Sequence, residues 1–160
     1  MDKLVTLLDQ IRKDGYYSQD ELYETLCITL AQKLDADYVS VWYFNEAKDK
    51  LVPQKFYDVE IDNFIVADDL KDCPGYFKEI CENVFLNAPD VRNHHALREL
   101  VDNYFDVYGI QSLLDYTLHK NLQPIGVVCV ETKNKCMRWN DDDICFVRNA
   151  TTLTTRYITH

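Results

Sequence analysis

The sequence predicts an α+β fold, a central antiparallel sheet of about five to six strands with helices packed on both of its faces. Three observations carry this. Two segments with helical spacing open the chain and a third closes it. Two pairs of β-branched and aromatic segments, each pair split by a short polar turn, read as hairpins. The strand segments are apolar at both alternating parities, as a sheet covered on both sides requires.

The elements follow in chain order. Leu4, Leu7, Leu8 and Ile11 mark one face of a helix running to about Lys13 and stopped near Gly15. Ser18 and Glu21 have the spacing of a capping box, and Leu22, Leu26, Leu30 and Leu34 then stripe a second helix. From Asp37 to Phe44 the pattern Tyr-Val-Ser-Val-Trp-Tyr-Phe reads as a strand, and Leu51 to Tyr57 pairs with it after a polar turn. The stretch from Asp58 to Asp72 fits neither period. Pro74 sits where a first helical turn tolerates it, ahead of a short helix from Tyr76 to about Glu82. Val84 to Asn87 is a short strand closed by Pro89.

Leu97, Leu100, Val101, Tyr104 and Phe105 predict one helix over His95 to Tyr108, with Gly109 as its stop. Ser112 to Lys120 and Pro124 to Thr132 form the second hairpin, with Gly126 inside the second strand. Asn140 caps the last helix, whose first turn holds Asp141, Asp142 and Asp143 at the positive end of the dipole. Ile144, Val147, Ala150, Leu153 and Tyr157 form its stripe.

Composition narrows the function. With 160 residues, 47% of them hydrophobic, the chain supports one core. Four glycines and four prolines leave no linker. A formal charge of -10, from 27 acidic and 17 basic residues with no basic cluster, argues against nucleic acid. Neither a signal pattern nor an apolar run near the ~20 residues of a membrane span is present, so a cytoplasmic location and no membrane partner are expected. Cys27, Cys73, Cys81, Cys129, Cys136 and Cys145 show no zinc spacing, and His94 and His95 are adjacent where two ligands on one helix face need three or four residues between them. No metal is expected.

The run Asp37-Tyr38-Val39-Ser40-Val41-Trp42-Tyr43-Phe44-Asn45-Glu46 looks like the opening strand and acidic turn of GAF domains, and Cys73-Pro74-Gly75-Tyr76-Phe77 is similar to a segment of their insert. Tyr108-Gly109-Ile110-Gln111-Ser112-Leu113-Leu114-Asp115, then Ile125-Gly126-Val127-Val128-Cys129-Val130-Glu131 and Arg138-Trp139, resemble a series found in many bacterial members. The chain thus resembles the GAF family of bacterial signalling and sensor proteins over about residues 20–158. The resemblance implies a domain over 18–160 after an N-terminal helical extension over 1–17. It also implies terminal helices on one sheet face and a loop-and-helix insert covering a ligand pocket on the other.

Carrying over the family's pocket face selects Ser40 and Trp42, Val52 and Gln54, Leu113, Asp115 and Thr117, and Cys129 and Glu131, with Tyr76 and Phe77 closing from the insert. The opposite parity, Val39, Val41, Tyr43, Leu114, Tyr116 and Leu118, is expected under the terminal helices. Asp115 and Glu131 would then share one enclosed face, either anchoring a ligand or satisfied internally, Asp115 by insert amides and Glu131 by Arg138. Two carboxylates would repel a phosphate, and the Asn-Lys-Phe-Asp-Glu signature of cyclic-nucleotide binders has no counterpart. Leu100-Val101 stands where bilin-binding relatives carry Cys-His, which disfavours a covalent chromophore.

The resemblance therefore implies a sensory or regulatory module that binds an unknown small molecule or mediates dimerisation, without a cofactor or a catalytic residue. Its terminal helices would pair in a homodimer or lead into a neighbouring output domain. Two alternatives stay open. One is a thiol enzyme of the free methionine sulfoxide reductase type using Cys129 and Cys73, which needs a low-pKa thiol. The other is an interaction module whose pocket is filled by its own side chains.

Overall fold

The structure, a computed structural model, describes residues 1–157. Helix α1 (Asp2–Asp14) and helix α2 (Gln19–Leu34) open it, and the Ser18 hydroxyl accepts from the Glu21 amide at the predicted start of α2. Strands β1 (Tyr38–Phe44) and β2 (Lys50–Asp58) form the first hairpin. The unassigned stretch after it contributes two short edge strands, β3 (Asn63–Phe64) and β4 (Leu70–Lys71), both paired with β2. Helix α3 (Pro74–Glu82) and strand β5 (Phe85–Ala88) follow. Strands β6 (Ile110–Lys120) and β7 (Gln123–Lys133) are the second hairpin, and α5 (Asp141–Thr155) closes the described chain behind an Asn140/Asp143 capping box. The last three residues of the domain expected over 18–160 lie outside the described residues.

The single helix predicted over His95 to Tyr108 is helical but not uniform. It winds as a tight 3-10 segment at His95–Leu100, a wide π turn at Val101–Phe105, and one α turn, α4 (Asp106–Tyr108), before Gly109 stops it at φ 69°. Leu97, Leu100, Tyr104 and Phe105 are all buried in the same cluster, and tight then wide winding brings them onto one side. Packing overrides the uniform period.

The sheet runs β3-β2-β1-β7-β6-β5, with β4 joined to β2. The two hairpins meet where β1 pairs antiparallel with β7, and Gly126 is what allows that approach. A Cβ there would lie 2.0 Å from the Trp42 carbonyl oxygen.

Each sheet face has its own core. Val39, Val41 and Tyr43 of β1, Leu114 and Leu118 of β6, and Val128 and Val130 of β7 pack with α1, α2 and α5, with Tyr116 beside them, as the predicted parity requires. Leu4, Leu8 and Ile11 of the N-terminal extension belong to this core. The other face holds Tyr38, Trp42, Phe44, Leu51, Phe56, Leu113, Val127 and Cys129 under α3 and the irregular helical segment. No helix among the described residues is long and apolar enough to cross a membrane.

Candidate functional site

Strand alternation and register build a polar row on the insert face. Ser40 on β1, Cys129 on β7 and Asp115 on β6 lie opposite one another, and Tyr38, Glu131 and Leu113 form the next row. Directly opposed residues of antiparallel strands share a face, so Asp115 and Glu131 are diagonal neighbours. Both are fully buried.

Two tyrosines descend on these acids from the insert. The Tyr76 hydroxyl, on α3, donates to Asp115 Oδ2. The Tyr104 hydroxyl, on the π turn, donates to Glu131 Oε1 at 2.9 Å. The other oxygen of each acid, Asp115 Oδ1 and Glu131 Oε2, is buried without a hydrogen-bond partner among the described residues.

Burial governs the electrostatics. It pushes the Asp115 carboxyl up to about 7, against the stabilising hydrogen bonds from Cys129 and Tyr76. Glu131 is raised well above the carboxylate range, first by burial and then by the charge of Asp115. The Cys129 thiol is raised by burial and then by both acids, and burial lifts Cys73 to about 12. Near neutral pH the site therefore holds protons that solvent-exposed acids would have lost. Both thiols are kept from ionising.

Of the residues selected from the sequence, Trp42, Tyr76, Asp115, Cys129 and Glu131 come together. Ser40 is buried beside them and accepts from the Trp42 indole N–H at 2.7 Å. Leu113 is buried in the same cluster, and Phe77 packs edge-on against Phe44 with ring centres 5.4 Å apart. Thr117 ties α3 to the sheet, donating to the Ile80 carbonyl at 2.7 Å.

Val52 and Gln54 are corrections. Val52 lies opposite Tyr43, on the face under the terminal helices, and Gln54 is skipped in the pairing, where Val41 faces Lys55 and Trp42 faces Pro53. That bulge reverses the parity of β2. Leu51 and Phe56 occupy the insert face instead.

The internal partners expected from the sequence are replaced as well. Arg138 is exposed while Glu131 is buried, and Asp115 takes a phenol where insert amides were expected. Tyr104, the partner missed by sequence reasoning, sat within a helical stripe. Its signal was a phenol amid a buried stripe, since a buried tyrosine hydroxyl seeks a partner.

Around the acids stands an aromatic wall. Trp42 meets Tyr104 and Phe56 edge-on at 6.0 and 6.1 Å, and Tyr108 stacks on Phe56 at 5.1 Å. Tyr104 and Tyr108 also line a surface cleft of about 330 Å³ with Asp68, Asp69, Asp72, Glu99 and Lys71. Among the described residues, no three His, Cys, Asp or Glu side chains are grouped to hold a metal ion.

Comparison with known proteins places this geometry. The family profile described as GAF domain matches residues 18–156. The GAF domain of an Acinetobacter phosphoenolpyruvate-protein phosphotransferase is similar in structure, with a TM-score of 0.71 at 14% identity over 97% of this chain and 89% of that one. The blue-light absorbing form of the Thermosynechococcus elongatus PixJ GAF domain superposes with a TM-score of 0.71 at 17% identity, over 85% and 82% of the two chains. The free methionine-R-sulfoxide reductase of Neisseria meningitidis, solved with its substrate, reaches 0.69 at 12% identity, over 96% and 84%. At these identities the likeness is one of fold. A search of curated proteins finds no match.

Proposed function

The chain belongs to the GAF domain family, and from that premise we propose that it is a sensory or regulatory module binding a small molecule between its sheet and its insert. One observation carries the reading: Asp115 and Glu131 lie fully buried side by side, each with one oxygen unpartnered among the described residues. Leaving a buried polar atom unsatisfied costs about 1–3 kcal/mol, and folds concentrate such costs at sites that use them. A ligand bearing hydrogen-bond donors would satisfy both oxygens at once. The aromatic wall supplies the apolar contact that small-molecule sites ordinarily provide.

Regulation fits these residues better than thiol chemistry. Cys129 is enclosed with two acids that oppose a thiolate, and a reductase needs a nucleophilic thiol. A homodimer through α1 and α5, or a neighbouring output domain, belongs to the same reading. Its contacts have to use the remaining helix faces, because Leu4, Leu8 and Ile11 are already buried in the domain's own core.

The competing reading is an interaction module whose pocket is self-filled, and the burial of Trp42, Tyr76 and Tyr104 around the acids favours it. A thermal-shift screen of the domain against a metabolite library, beside Asp115→Asn and Glu131→Gln, separates the two. A compound that raises the parent's melting temperature but not the variants' supports the sensor. Silence across the library, with folded variants, supports the filled pocket.

A further inference from the structure

We infer that the ligand is a small organic ammonium ion with N–H donors, which enters through the acidic cleft and binds Glu131 and Asp115 when Tyr104 swings aside. The inference rests on the small-molecule reading above and adds the ligand's charge, its route and its gate.

The charge follows from the acceptors. Asp115 Oδ1 and Glu131 Oε2, both unpartnered among the described residues, are carboxyl oxygens on one face, and an ammonium group has enough N–H donors for both. Hydrogen bonds between charged partners are about twice as strong as neutral ones. The ring of Trp42 and those of the neighbouring tyrosines add cation–π attraction and cover the alkyl part. A quaternary ammonium would satisfy the rings but not the oxygens, and a carboxylate or phosphate would meet two acids.

The route follows from Tyr104, which takes part in both places. Tyr104 is one of the cleft's lining residues, and its hydroxyl donates to Glu131. Four of the cleft's residues, Asp68, Asp69, Asp72 and Glu99, are acidic against the single Lys71, so the mouth concentrates cations. The gate follows from backbone winding. Tyr104 rides the π turn Val101–Phe105, directly after a 3-10 segment, and such irregular windings are where helices change register at functional sites.

Burial of a cation is tolerable here because a proton leaves. The groups facing Glu131 are Asp115, Cys129 and Tyr104, with Tyr38 and Tyr108 nearby, while Lys133 lies over the Tyr38 ring and pairs with Glu60. With burial holding a proton on Glu131, the incoming ammonium replaces that proton, which passes to solvent. One positive charge enters and one departs, so the enclosed site keeps its net charge.

The test uses the full chain with n-butylammonium chloride as probe and tetramethylammonium, butanol and butyrate as controls. Calorimetric titration measures affinity, and an indicator dye in weakly buffered solution near neutral pH counts protons. The expected result is n-butylammonium binding with release of about one proton per site. Glu131→Gln should weaken it about tenfold or more and abolish the release. Asp115→Asn gives an independent check should Glu131→Gln fold poorly, and it too should weaken binding about tenfold. Equal binding to parent and to both variants, or binding without proton release, overturns the inference. Glu131-dependent binding of butanol, butyrate or another non-cationic compound overturns it while leaving the small-molecule reading intact. Silence from every chemical class overturns both.

Discussion

Replacing Asp115 by asparagine removes a titrating group while keeping its shape and an acceptor for the Tyr76 hydroxyl. In the folded protein the carboxyl sits at about 7 instead of its ordinary 3.8. Between those values the folded chain holds a proton that the unfolded chain has released. Stability from this group is therefore complete below about pH 4 and is lost as pH rises through about 7. At 1.36 kcal/mol per decade of proton affinity, the whole effect is about 4 kcal/mol. About 2 to 3 kcal/mol of it falls between pH 5 and pH 8. Urea unfolding of parent and Asp115→Asn at about pH 5 and about pH 8 isolates it, since the other acids and histidines cancel in the difference. The variant should gain about 2 to 3 kcal/mol relative to the parent over that interval. A difference that stays constant within about 0.5 kcal/mol would refute the burial argument for this group. Because Asp115 raises Glu131, repeating the pair in a Glu131→Gln background separates the two titrations.

Gly126→Ala should cost about 3 kcal/mol or prevent folding, because its Cβ would press on the Trp42 carbonyl oxygen at 2.0 Å and part β1 from β7; circular dichroism melting checks it. Tyr104→Phe leaves Glu131 Oε1 without its phenol and should cost about 1 to 2 kcal/mol in urea unfolding. Among the thiols, exposed Cys136 should react first with a disulfide reagent under native conditions, while buried Cys27, Cys73 and Cys129 react only on unfolding. Rapid native labelling of Cys129 would reopen the thiol-enzyme reading. Light scattering at high protein concentration should give a dimer, and a strict monomer counts against pairing through α1 and α5.

Local pattern was enough for much of this protein. Helix starts at Ser18 and Asn140 were legible because capping depends on residues within one turn. The faces of β1, and of β6 and β7 where residues 112–118 pair without a shift, were legible because alternation is strict along such a stretch and the two cores separate the parities. Alternation put Asp115 and Glu131 on one parity, and the resemblance to GAF domains implied that this parity faces the pocket.

Strand β2 shows where pattern stops. Leu51, Val52 and Pro53 put apolar side chains on both parities, so alternation alone does not choose a face. Pairing with β1 chooses, setting Leu51 opposite Phe44 and Val52 opposite Tyr43, and the bulge at Gln54 restores the expected parity only from Phe56 onward. Tyr104 shows the same limit in a helix. Spacing located it in a buried stripe, but its reach to Glu131 depends on a π turn imposed by packing against the sheet. Sequence alone thus determined which residue types line each element, since alternation and capping act over a few neighbours. Tertiary structure decided which of them meet, since register, bulges and helix winding are set by contacts between segments far apart in the chain.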